Sequence, residues 1–108
     1  MVTVKIFKHE DQYRGFVFDG HAGFARRGRD IVCSAISMLV INTFNSIEQF
    51  TDDQFSGQAS PDGGHIQMSF DHENSSELRL LLDSMILGLK EVEKQYGRKY
   101  ISLQFEEV

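Results

Sequence analysis

Apolar residues fall at every second position in Val2, Val4 and Ile6, with Thr3, Lys5 and Phe7 between them, the period of a half-buried strand. Asp11-Gln12 reads as a turn. Tyr13 to Asp19 reads as a second strand with Phe16 and Phe18 on one face. Gly20, Gly23 and Gly28 punctuate the next segment. The period then lengthens, and Asp30 to about Phe50 reads as a helix with Asp30 in N-cap position. Gln54 to Ala59 is a weak strand. Ile66, Met68 and Phe70, alternating with Gln67, Ser69 and Asp71, form a stronger one, and Ser60-Pro61-Asp62-Gly63-Gly64 is the turn that makes the two a hairpin. Asn74, with Glu77 three residues on, reads as the cap of a second helix. Leu78, Leu81, Leu82, Met85, Leu89, Val92 and Tyr96 give that helix a single apolar stripe, and Gly97 ends it. Ile101, Leu103 and Phe105 alternate in a closing strand. The order β-β-α-β-β-α-β predicts one α+β domain over residues 1–108. It should have one mixed sheet and two helices packed on one face, a ferredoxin-like sandwich.

The first helix departs from simple amphipathicity. Ile31, Val32, Ala35, Ile36, Met38, Leu39, Val40, Ile41, Phe44, Ile47 and Phe50 surround most of it, leaving a narrow polar strip of Ser34, Ser37, Asn45 and Glu48. Such a helix is buried on more than one side. Either a loop and the second helix cover it, or part of it meets a partner subunit or a peptide.

Composition narrows the function. The 108 residues are 41% hydrophobic and 25% charged, a globular balance that excludes disorder. Eleven basic against sixteen acidic residues give a net charge of −5, which argues against nucleic-acid binding and anionic membrane surfaces. The longest apolar run, Ile36 to Ile41, is broken by Ser37 and is too short to span a bilayer. The first residues read as a strand, not a signal peptide. One cysteine excludes an internal disulfide and multi-cysteine zinc sites. A cytoplasmic location is the expectation.

The chemistry concentrates between Gly20 and Ser34. Cys33 falls in the first turn of the first helix, where unpaired amides and the helix dipole place partial positive charge and favour a thiolate, the nucleophilic form. His21 follows the second strand, and a strand end and the next helix start can be neighbours in space. His21 is therefore a candidate general base for Cys33. Asp30 has two readings, as N-cap or as the acid that orients His21, and Asp19 is a second candidate orienter. Ser37 lies one turn after Cys33 on the same face. The backbone amides of Cys33 and Ser34 are candidate oxyanion donors. His9, His65 and His72 read as solvated loop residues. No metal-ligand cluster, phosphate-binding loop or dinucleotide fingerprint is present, so no metal or cofactor is expected.

At Gly20-His21-Ala22-Gly23 and Asp30-Ile31-Val32-Cys33-Ser34-Ala35, with Ser37 beyond, the chain resembles the ribosomal-processing cysteine protease Prp family over essentially its whole length. The resemblance implies that His21 and Cys33 are the catalytic pair of an endopeptidase. It also implies the substrate: a short N-terminal extension of a bacterial large-subunit ribosomal protein, the twenty-seventh, cut after an aromatic pair and before a small residue. A homodimer is implied as well. This chain has Phe24 where the family often has Tyr, and it carries Arg26, Arg27 and Arg29 in the loop, read as solvated charges. Gly20, Ala22, Gly23, Phe24 and Gly28 are the expected substrate loop. Its glycines should let it close on the peptide and leave His21 beyond hydrogen-bond reach of Cys33 in the free protein. A different class of function is a non-catalytic, ribosome-associated binding module that docks through the apolar first helix.

Overall fold

Where the strands pair, alternation becomes a buried face. β1 (Val2–His9) buries Val2, Val4 and Ile6 and leaves Thr3, Lys5 and Phe7 half-buried. The computed structural model describes residues 1–23, 25–26 and 30–108. β2 (Gln12–Gly20) pairs antiparallel with β1. A bulge opposite Phe7 and Lys8 places Arg14 outside the register, so Tyr13 points inward along with Phe16 and Phe18 despite its odd number.

α1 (Ile31–Phe50) follows, capped by Asp30 as expected. β3 (Ser56–Ala59) and β4 (His65–Ser69) form the predicted hairpin, and α2 (Ser76–Tyr96) and β5 (Ile101–Glu107) complete the chain. The sheet order is β3-β4-β2-β1-β5. All pairs are antiparallel except β1 with β5, so the sheet is mixed. Its covered face meets Val32, Ile36, Val40 and Ile47 of α1 and Leu78, Leu82, Met85 and Leu89 of α2 in one core.

By length and composition alone α1 could cross a bilayer, which the short run Ile36–Ile41 does not reveal. In the fold its inner side is core, while Ile31, Met38 and Ile41 on its outer side, and Phe50 at its end, are exposed. The second helix therefore covers only part of α1's apolar surface.

One predicted cap is displaced. Ser75, not Asn74, caps α2, its hydroxyl accepting the Leu78 amide at 3.0 Å. Asn74 is buried and works as a backbone mimic. Its Oδ1 accepts from the Tyr13 amide at 2.6 Å, and its Nδ2 donates to the Tyr13 carbonyl at 3.0 Å. The Tyr13 hydroxyl in turn donates to Asp83 on α2. Burial, reinforced by the Asp83 carboxylate, raises its pKa well above the usual phenol range.

Asp53 is the buried link between the end of α1 and the start of α2. Its carboxylate accepts from the Ser75 amide at 3.0 Å, from the Ser75 hydroxyl, and from His72 Nε2 at 2.9 Å. His72 is thus a part-buried structural residue and not the solvated one expected. Burial alone would raise the Asp53 pKa, but the Ser75 and His72 hydrogen bonds outweigh it and hold the carboxyl below its ordinary range. A depressed pKa contributes stability that is complete above the unfolded value and is lost as pH falls through the folded one. Asp53→Ala should cost about 2 kcal/mol at neutral pH. In thermal unfolding, the gap between wild type and variant should narrow once the pH passes below the usual carboxylate range.

Candidate active site

The site forms because β2 ends where the chain must turn. Gly20 has φ +97°, and a Cβ there would stand 2.7 Å from the Met1 carbonyl oxygen, so only glycine fits. The next residue, His21, leaves the sheet over the start of α1. Its Nδ1 lies 3.9 Å from Cys33 Sγ, within contact range for sulfur. The structure therefore brings the two side chains within reach of each other.

Asp30 is buried, and its Oδ1 accepts the Cys33 amide at 2.9 Å. This is the N-cap geometry, and it fixes Cys33 at the third helical position, in the field of the helix start. Cys33 is half-buried and His21 is exposed.

The same cap corrects one expectation. The Cys33 amide is committed to the Asp30 carboxylate, and the Ser34 amide donates to the Asp30 carbonyl at 3.0 Å as the first turn closes. In this arrangement neither is open to a developing oxyanion.

Asp19, the other candidate orienter, faces away from the pair. Directly opposite His65 in the β2–β4 ladder, it meets His65 Nδ1 at 3.3 Å. His9 Nδ1 bonds the Val108 carbonyl at 2.8 Å, far from the site along the chain.

A cleft of about 450 Å³ opens over the pair, with Ser34, Ser37 and Ile41 of α1 on one side and Asp62 and Gly63 of the β3–β4 turn on the other. Gly23 lines it too, while Ala22 is buried beneath. It shares Ile41 and Gly63 with a neighbouring apolar groove of about 280 Å³ walled by Phe44, Ala59, Pro61 and Ile66. Arg26 is exposed. Phe24, Arg27, Gly28 and Arg29 lie outside the described residues. Among the described residues no group of three or more His, Cys, Asp or Glu is placed to hold a metal ion.

The β3–β4 turn is the part of the site that sequence reasoning missed. Ser60 to Gly64 read as a complete turn signal, and nothing in it pointed to His21. The link is made by the Gly20 amide, which donates to the Gly64 carbonyl at 2.8 Å.

Comparison with known proteins identifies the family and the fold. The family model for cysteine protease Prp matches residues 1–102. The ribosomal processing cysteine protease Prp of Staphylococcus aureus (strain Mu50 / ATCC 700699) is 30% identical over 98 residues, covering 90% of this chain and 92% of that protein. That of Bacillus subtilis (strain 168) is 28% identical over 92 residues, covering 82% of each. The crystal structure of the essential ribosomal processing protease Prp from S. aureus with a covalently linked product peptide superposes with a TM-score of 0.91. It is 29% identical, covering 98% of this chain and 100% of that one. The same protease with a substrate peptide gives a TM-score of 0.84 at 27% identity, with the same coverage.

If Cys33 and His21 act as a pair, each charged form stabilises the other. His21→Ala should therefore move the pH dependence of Cys33 alkylation by iodoacetamide towards higher pH. An unmoved profile would show that the two side chains are merely adjacent.

Proposed function

We propose how this site works from one premise: the chain belongs to the cysteine protease Prp family. It is a cysteine protease, so the docking-module alternative gives way to an enzyme. Cys33 is the nucleophile and His21 the acid–base residue, and the observation that carries this assignment is their 3.9 Å contact at the helix start. The Cys33 sulfur, its proton taken by His21, bonds to the carbonyl carbon of the scissile peptide. As the tetrahedral intermediate collapses, the C–N bond breaks and the imidazolium gives its proton to the leaving amine. The upstream fragment stays on sulfur as a thioester. A water molecule, deprotonated by His21, then attacks that carbonyl and releases the acid and the thiolate.

The substrate we infer is the N-terminal extension of a large-subunit ribosomal protein, the twenty-seventh, cut after an aromatic pair and before a small residue. The relatives are named for ribosomal processing, and the S. aureus protease binds peptides. The apolar groove beside the cleft suits aromatic side chains, which gain most from leaving water. The compartment we propose is the cytoplasm. Cys33→Ala should abolish cleavage of a peptide carrying that junction while keeping thermal stability and peptide binding. Cleavage by the variant above a trace would contradict the assignment.

The working form we propose is a two-fold dimer built on the outer flank of α1. Met38 and Ile41, three residues apart and so on one side of the helix, are 68% and 43% exposed there, on a helix whose composition calls for cover on more than one side. Light scattering at micromolar concentration should give twice the chain mass, and Met38→Asp should give the monomer. A monomeric wild type would exclude this assembly.

A further inference from the structure

The catalytic pair described above leaves the second ring nitrogen of His21 unexplained. Nδ1 faces the thiol, and Nε2 points to the β3–β4 turn. A Cβ placed on Gly64 would stand 3.3 Å from His21 Nε2, 3.3 Å from Asp62 Oδ1 and 3.5 Å from Asp62 Oδ2. The imidazole and the carboxylate thus converge on the space that the glycine leaves empty.

We propose that Asp62 is a positioning residue whose carboxylate, across Gly64, supports the Nε2 side of His21 and so holds Nδ1 towards Cys33. Three observations bear on this. The carboxylate is itself held, since Oδ1 accepts from the Ser60 hydroxyl at 2.7 Å and from the Gly64 amide at 3.0 Å. The turn is tied to the end of β2 by the Gly20–Gly64 hydrogen bond and by the Asp19–His65 register pair, so His21 and Asp62 are carried on one framework. The other acids near the pair are committed elsewhere, Asp30 to the α1 cap and Asp19 to His65. The titratable groups about the cleft, among its described lining residues, are then Cys33 from α1, Asp30 at its cap, His21 after β2 and Asp62 from the turn. A carboxylate on the far side of an imidazole fixes the ring's orientation and stabilises its protonated form.

The proposal rests on the Cys33–His21 assignment, and its test separates the two. Asp62→Asn keeps an oxygen for Ser60 and Gly64 but removes the charge. Its thermal midpoint should stay near wild type, its kcat on the aromatic-aromatic-small peptide should fall about tenfold with KM unchanged, and its Cys33 alkylation profile should shift to higher pH. The double variant with His21→Ala should shift no further than His21→Ala alone, because Asp62 acts through the imidazole. Gly64→Ala, which puts a methyl group where the two side chains converge, should act in the same direction, and it serves as the second probe should the turn not accept asparagine. If His21→Ala moves the alkylation profile and neither turn variant does, Asp62 has no such role. If His21→Ala itself leaves the profile unmoved, the fault lies in the catalytic pair.

Discussion

The Asp30 carboxylate accepts the amide hydrogen of Cys33, and the position of that bond decides where α1 begins. A cap one residue earlier or later would move Cys33 out of the third helical position, whose amide the cap side chain reaches. With the cap at Asp30, the thiol stands in the first turn, the positive end of a 20-residue helix whose inner side is anchored by Val32, Ile36, Val40 and Ile47. The same bond has a consequence for chemistry. The residue that fixes the helix start also takes up both amides, that of Cys33 with its carboxylate and that of Ser34 with its main-chain carbonyl.

Much of the fold was legible because its signals are local. The alternation at Val2, Val4 and Ile6, the Asp30 cap, the Pro61-Asp62-Gly63-Gly64 turn and the apolar stripe of the second helix each depend on residues within one element. What sequence could not supply are partners distant in the chain. Asn74 and Ser75 are both good capping residues. The choice between them is made by Asn74's bonds to the Tyr13 backbone, 61 residues away. His72 looked solvated until Asp53, 19 residues before it, folded against it.

The site divides in the same way. His21 and Cys33 could be paired in sequence because a strand end and the following helix start are neighbours by construction. Asp62 could not, because its approach to His21 depends on β4 pairing with β2. The turn it belongs to also has a sufficient local explanation. Glycine at 64 illustrates the limit: as a turn residue it needs no other reason, yet in space it is the gap over which an imidazole and a carboxylate meet. The cleft is therefore built by the end of β2, the start of α1 and the β3–β4 turn, and the groove beside it lies between α1 and the β3–β4 hairpin.

The proposed mechanism requires the sulfur at the start of α1 to carry the peptide during cleavage. Rapid acid quenching of the enzyme with a slowly deacylating peptide substrate, followed by mass spectrometry of the digested chain, tests it directly. The prediction is that the fragment containing Cys33 gains the mass of the upstream product as an acyl group, with one equivalent of amine product released per site in the initial burst. Peptide cleaved at full rate with Cys33 unmodified at every quench time, and without a burst, would contradict it.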